Sequence, residues 1–145
     1  MTPGKAYLVQ IMHISKLISR LESMAEDVRR SAAVHAPYYG QGRVQKTPPR
    51  DPLGLAVAKS VDLEHEIASH LVGLVQRKLE AFGLVMRIPD VRQRDVLLAR
   101  YFQGRSWEEI VEEQRCARST VLALHRAGVE VFESLYASNQ AQNNV

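Results

Sequence analysis

The chain begins with a regular heptad of apolar residues. Successive apolar positions are spaced by alternating steps of four and three, and they are Tyr7, Ile11, Ile14, Ile18, Leu21, Ala25 and Val28. This spacing places them on one stripe of a helix, with charged residues on the remaining faces. It predicts a helix over about residues 5–32 that needs an apolar partner.

A second long helix is predicted further along the chain. Apolar residues form a broad stripe from Val57 to about Leu84, and Asp51 and Pro52 suit its first turn. Between the two stripes no period is visible, because proline or glycine interrupts it at Pro37, Gly40, Gly42, Pro48 and Pro49. We expect a flexible linker at residues 33–50. We expect residues 1–87 as a whole to form a long helical hairpin, coiled-coil-like in character, that holds the protein as a homo-oligomer.

The apolar periods become shorter after Ile88. Asp90 and Ser106 can each cap a helix, and Gln93 and Glu109 complete capping-box patterns three residues later. The residues predicted to be buried in this part are Val91, Val96, Leu97, Leu98, Tyr101, Ile110, Val111, Val121, Leu124, Gly128, Phe132 and Leu135. Residues 88–137 are thus predicted to hold three helices with a tight turn between the last two, and residues 138–145 a disordered polar tail. The predicted fold class is all-α.

Charge changes the picture more by its distribution than by its amount. The net charge is only +3, but eight arginines lie within residues 87–126. The planar guanidinium suits phosphates and guanine edges, so this region is a candidate for nucleic-acid binding. The alternative is that these arginines pair with neighbouring aspartates and glutamates on solvated helix faces.

Several other classes of function are not expected. Cys116 is the only cysteine, which excludes an intramolecular disulfide and a thiolate zinc cage. No apolar run approaches the roughly 20 residues of a membrane span, and the N-terminus lacks a small-residue cleavage site. We therefore expect a cytoplasmic protein with no membrane contact.

An enzyme is not expected either. The stretch HEIASH resembles a zinc-protease motif, but His65 and His70 are five residues apart and point about 140° away from each other on a helix. Neither a glycine-rich phosphate loop nor a Ser-His-Asp order is present. We expect no catalytic residues, no metal and no cofactor.

The stretch RDVLLARYFQGRSWEEI, from Arg94 to Ile110, is followed ten residues later by Thr120 and Val121. It resembles the fourth conserved region of bacterial sigma factors, and with the later LALHRAG it is similar to sigma-like phage regulators of the ArpU type. The match covers about residues 88–135. It implies a helix-turn-helix that binds promoter DNA, control of late genes, and RNA polymerase as a partner. The family usually has Leu, Gly and Ser where this chain has Gln114, Arg115 and Ala117.

The last helix would then be the recognition helix. With Val121 and Phe132 facing inward, Ser119, Ala123 and Arg126 point outward. Arg118 is the candidate for a bidentate contact with guanine, Ser119 for a base or phosphate, Leu122 for a thymine methyl and Arg126 for phosphate.

A second group of candidates precedes the recognition helix. Arg105, the backbone amides around Ser106 and Trp107, and Arg115 are expected to hold backbone phosphates. The alternative role of Trp107 is to pack the three helices together.

The sequence therefore predicts a transcriptional regulator of phage or prophage late genes that binds double-stranded DNA. One alternative is a DNA-recognition subunit for packaging, similar to a small terminase subunit. Another is a protein-interaction module without DNA affinity, an alternative that the net charge of only +3 and the acidic run beside Trp107 leave open.

Overall fold

The computed structural model describes residues 1–40 and 52–144, and the rest of the predicted linker, residues 41–50, lies outside the described residues. The described residues form helices and no strand, which confirms the all-α prediction. The helices are α1 (Pro3–Gly40), α2 (Pro52–Val85), α3 (Val91–Leu97), α4 (Trp107–Gln114) and α5 (Arg118–Asn143). A π-helical turn, Leu98–Phe102, extends α3.

Two helices are longer than the sequence predicts. Helix α1 continues to Gly40, through the first residues of the predicted linker, and α5 continues to Asn143, through most of the predicted tail. The α5 extension contains alanine and glutamine, which are residues with good helix propensity, whereas the α1 extension includes Pro37 and has no such explanation. A polar stretch without apolar period can therefore prolong a helix that packing has already established.

One compact unit comprises Met1–Leu17 and Val75–Val145. Its core joins the beginning of α1 and the end of α2 to the C-terminal helices, through Leu8, Ile11, Ala81, Leu84, Val85, Ile88, Leu97, Tyr101, Phe102 and Phe132. A smaller cluster, Val96, Ala99, Ile110 and Val121, lies among α3, α4 and α5. The C-terminal helices thus share one core with residues of α1 and α2, so this core extends across the predicted domain boundary at residue 87. Of the residues predicted to be buried there, Val91 is exposed, because it is the first residue of α3 and precedes the core.

Within this unit, Glu133 of α5 binds the N-terminus of α1. Its two carboxylate oxygens accept hydrogen bonds from the backbone N–H groups of Gly4, at 2.8 Å, and Lys5, at 3.2 Å. The bond from Gly4 holds the pKa of the Glu133 carboxyl below its usual value. A carboxylate at the positive end of a helix dipole satisfies N–H groups that have no partner within the helix.

The other compact unit, Ile18–Leu74, contains the remaining parts of α1 and α2. Among its described residues Ile18, Ala25 and Ile67 are apolar and buried, and Arg29 Nε lies 2.8 Å from a carboxylate oxygen of Glu64. The α1 heptad is turned toward the interior of the chain, with Ile11, Ile18 and Ala25 all buried. None of the described helices combines the length and the apolar character needed to cross a membrane.

Candidate nucleic-acid interface

A wide helical turn and one glycine set the direction of the chain before α4. In the π-helical turn, the N–H of Gln103 donates to the carbonyl of Leu98 at 3.1 Å, and the N–H of Arg105 donates to that of Ala99 at 3.0 Å. Gly104 has φ +68°, a left-handed conformation that glycine adopts without steric cost. The sequence predicts the glycine at this helix end, whereas the π-helical geometry has no signature in the apolar pattern.

The predicted caps of α3 and α4 are confirmed. Asp90 accepts hydrogen bonds from the N–H groups of Arg92, at 2.9 Å, and Gln93, at 3.2 Å. Ser106 Oγ accepts one from the N–H of Glu109 at 3.2 Å. Each cap satisfies donors that a helix N-terminus otherwise leaves unpaired, which fixes where the helix begins.

Trp107 packs among side chains from the π-helical turn and α5. The Arg100 guanidinium lies 4.6 Å from the centre of the indole ring, and His125 meets the indole edge-on at 4.9 Å. Arg100 also donates to the carbonyl of Arg105 at 3.0 Å. The half-buried Trp107 therefore has the packing role that was the alternative to a DNA contact, and it locks the segment that leads into α4.

Buried polar groups support the recognition-helix candidate from behind. The Tyr101 hydroxyl and His125 Nε2 are 2.7 Å apart, and Ser15 Oγ donates to the Tyr101 carbonyl at 3.3 Å. Burial, together with the positive charges of Lys5, Arg100 and Arg126, lowers the pKa of His125 to about 4. Burial also raises the pKa of Tyr101. At neutral pH this pair is uncharged, so it holds α5 against α3 without a net buried charge.

The connection from α4 to α5 stays tight although it lacks the usual glycine. Arg115 adopts the left-handed conformation itself, with φ 54° and ψ 43°, and its N–H donates to the carbonyl of Val111 at 3.0 Å. Ala117 precedes α5 in an extended conformation and supplies no side-chain cap. The backbone of this turn therefore has the form that glycine would favour, but with a cationic side chain attached.

The two faces of α5 separate as the spacing predicts. Val121, His125, Gly128 and Phe132 are buried. On the opposite face, the exposed residues are Arg118, Ser119, Ala123 and Arg126, whereas Leu122 is half-buried at the edge. The outward row thus presents two arginines and a serine from the first three turns of the helix.

Two of the candidate arginines are paired with carboxylates of α4. Arg118 lies 3.0 Å from Glu108, and Arg105 lies 3.8 Å from Glu109. The pKa of Glu108 is lowered by a hydrogen bond with its own backbone and by Arg118. All four side chains are well exposed, and exposed ion pairs contribute little to stability. A phosphate could replace either carboxylate at small cost.

The structure brings several of the candidate residues together at the start of α4. Arg105, Ser106 and Trp107 lie there, and the Arg118–Glu108 pair joins this end of α4 to the first turn of α5. Arg115 is exposed in the turn at the other end of α4. Arg126 is exposed on α5, about 12 Å along the helix from Arg118, with Ser119 and Leu122 between them.

Within residues 1–40 and 52–144, no three His, Cys, Asp or Glu side chains are grouped so that they could hold a metal ion. No protein-family model, curated protein or solved structure matches this chain.

Proposed function

We propose that this protein binds double-stranded DNA in a sequence-dependent manner and regulates transcription. In this proposal α4 and α5 form a helix-turn-helix, with α5 lying in the major groove and the start of α4 on the phosphate backbone. The resemblance of residues 88–135 to the fourth region of sigma factors extends the proposal to phage or prophage late genes and to RNA polymerase as a second partner.

The observation that carries the proposal is the outward face of α5. Arg118, Ser119 and Arg126 are exposed at the start of a helix whose opposite face is fixed in the core. A guanidinium in the first turn of such a helix can donate two hydrogen bonds to one guanine. In this proposal the Ser106-capped start of α4 and the exposed Arg105 hold the adjacent backbone.

The net charge of the proposed DNA-binding region limits how it can bind DNA. Residues 88–137 contain seven arginines and eight aspartates and glutamates, a net charge of −1. Non-specific attraction by bulk positive charge is therefore weak in this region, and affinity must come from arginines placed at particular phosphates. We expect modest affinity for random DNA and a larger gain for the correct site.

The test is a titration of the full chain with duplex DNA at several salt concentrations. The full chain is required because residues 88–137 share their core with α1 and α2. If Arg105, Arg115 and Arg126 each contact one phosphate, log affinity should fall with log salt at a slope of about −3. Replacing these three arginines with alanine should abolish most of that slope.

A matched control comes from the N-terminal helices. Arg20, Arg30 and Arg77 are exposed, and replacing all three with alanine changes the net charge by the same amount. This control variant should bind DNA with nearly the wild-type slope. Equal losses in the two variants would show that binding follows net charge alone, and absence of binding at low salt would refute the proposal.

A second candidate function is favoured by the exposed surface of α4. Glu108, Glu109, Glu112 and Glu113 are all exposed on that helix, and they would repel phosphate. This surface suits a protein-interaction module that binds a basic partner. The two functions give opposite results in the titration, because a pure interaction module shows no salt-dependent binding to duplex DNA.

A further inference from the structure

An apolar strip on α2 has no part in the proposed DNA contact. Its residues are spaced by steps of four, three and four: Val75, Leu79 and Phe82 lie on α2, and Met86 is the first residue after it. These residues are 41%, 57%, 41% and 42% exposed, in that order. The opposite face of the same helix segment, with Ala81, Leu84 and Val85, is buried in the core. This part of α2 therefore has two apolar faces, and the described residues cover only one of them.

Gly83 lies beside this strip, in the last turn of α2. A Cβ atom built on Gly83 would meet nothing within 4 Å. The described residues therefore leave open space over Gly83, and a residue without a side chain lets a second helix approach the strip closely.

We propose that the strip is the seam of a homodimer, in which α2 packs against α2 of a second copy of this chain. Heptad spacing is the pattern by which one helix packs along another. In a two-fold dimer the same surface is used by both copies, so the second strip matches the first in length and spacing by symmetry.

The exposed area is compatible with a dimer. Four large side chains exposed to this extent present roughly 300 Å² of apolar surface, so two copies would bury about 600 Å² of it. Apolar atoms make up about 60% of such interfaces, which brings the total to about 1,000 Å². That total reaches the lower limit for a specific interface and indicates a dimer in reversible exchange with its monomer.

A groove beside the strip would receive side chains of the second copy. It is open, has a volume of about 520 Å³, and is lined by Phe82, Leu98 and Phe102 on its apolar side and by Lys78, Asp95 and Glu113 on its polar side. The Phe82 and Phe102 rings meet edge-on with their centres 6.3 Å apart. A leucine or methionine from the other strip is of suitable size and character for this groove.

Two other pairings fit the chain less well. Residues 41–51, outside the described part, contain Val44 as their only large apolar residue, which is too little to cover the strip. The α1 heptad, in which the sequence predicts the oligomer seam, has Ile11 and Ile18 buried within the chain. The seam is therefore assigned to α2.

Sedimentation equilibrium of the full chain over a wide concentration range tests this assignment. The wild type should exchange between monomer and dimer. Leu79→Glu would place a charge in the seam and should raise the dimer dissociation constant about tenfold or more. Val91→Glu is the matched control, because Val91 is 55% exposed, apolar and outside the strip, and it should leave the constant unchanged.

Met86→Lys repeats the test with the opposite charge, and circular dichroism establishes that each variant keeps the wild-type helix content. A wild type that stays monomeric at the highest concentration overturns the proposal, as does an assembly larger than a dimer. Equal association of the Leu79→Glu and Val91→Glu variants also overturns it. The measurement contains no DNA, so its result is independent of the proposed DNA binding.

Discussion

The two faces of α5 differ in what determines their residues. On the inner face Val121, His125, Gly128 and Phe132 are buried, and a Cβ atom on Gly128 would approach Gln93 to 3.3 Å. The outer face is exposed, and there Arg118 has only an exposed carboxylate as its partner. Packing therefore constrains the inner face closely, whereas the outer face can vary at little cost in stability. The outer face is the one to which we assign the proposed DNA contact.

The inner face should show the largest effect on stability. Phe132 is fully buried, and its ring stacks with Tyr7 and Tyr136, each at 6.2 Å between centres. Phe132→Ala should lower the free energy of unfolding by about 3–5 kcal/mol, because it leaves a cavity between helices. Arg126→Ala on the outer face should change it by less than about 0.5 kcal/mol. Urea unfolding followed by circular dichroism measures both, and similar losses would contradict the division between the faces.

The inner face should also make stability depend on pH through His125. The pKa of its imidazole is about 4 in the folded protein, against 6.5 for a histidine free of such surroundings, so the unfolded chain binds the proton first as the pH falls. Stability is therefore complete above about pH 6.5 and is lost progressively down to about pH 4, by about 3 kcal/mol in total. In the His125→Gln variant the glutamine amide can still accept a hydrogen bond from the Tyr101 hydroxyl. This loss of stability between pH 6.5 and pH 4 should therefore disappear in the variant.

Comparing the wild type with His125→Gln isolates the contribution of His125 to the pH dependence of stability. Glu108 and Glu133 have lowered pKa values and also lose stability in acid, at lower pH and equally in both proteins. The informative quantity is the difference between wild type and His125→Gln in the free energy of unfolding, measured from pH 7 to pH 4. A difference that does not vary with pH would show that His125 is protonated as easily in the folded protein as in the unfolded chain.

The outer face should affect DNA discrimination rather than stability. Arg118→Ala should lower the preference for the specific duplex over random DNA by roughly 1–3 kcal/mol, because a bidentate contact with guanine is lost. Arg105→Ala should weaken binding to all sequences alike and reduce the salt slope by about one, as expected for a phosphate contact. Equal weakening of specific and random binding by Arg118→Ala would make Arg118 a phosphate contact instead.

Local patterns were sufficient to predict part of this arrangement. The caps at Asp90 and Ser106, the end of a helix at Gly104 and the inner row of α5 depend on residues within a few positions of one another. The Tyr101–His125 pair and the contact of Glu133 with Gly4 join residues that are 24 and 129 positions apart. No periodicity records such contacts, because they depend on how helices pack rather than on where they begin.

The pairing of Arg118 with Glu108 could not be predicted from the sequence either. Its acidic run and its arginines indicate that some pairing occurs, but not which arginines are involved. In the structure Arg105 is paired with Glu109 and Arg118 with Glu108. The DNA contacts of both arginines stay predictions.

Arg115 lies in the turn before α5, and among the changes expected to alter stability Arg115→Gly should have the smallest effect. Its φ of 54° is unfavourable for any residue with a Cβ atom, by about 1–2 kcal/mol. Arg115→Gly should remove this strain, although the greater freedom of glycine in the unfolded chain offsets part of the gain. We expect a net stabilisation of about 0.5–1 kcal/mol in urea unfolding. The same change should weaken DNA binding and reduce the salt slope by about one, because a phosphate contact is lost.

Gly104→Ala is the control for this prediction, since Gly104 already has positive φ and no neighbour within 4 Å of a Cβ atom. It should destabilise the protein by about 1 kcal/mol through the backbone alone. If Arg115→Gly stabilises the protein and leaves DNA binding intact, Arg115 is merely a tolerated residue in the turn. If Arg115→Gly both stabilises the fold and weakens DNA binding, the strained arginine is retained for its charge. The DNA-binding surface then extends from α5 into the turn before it.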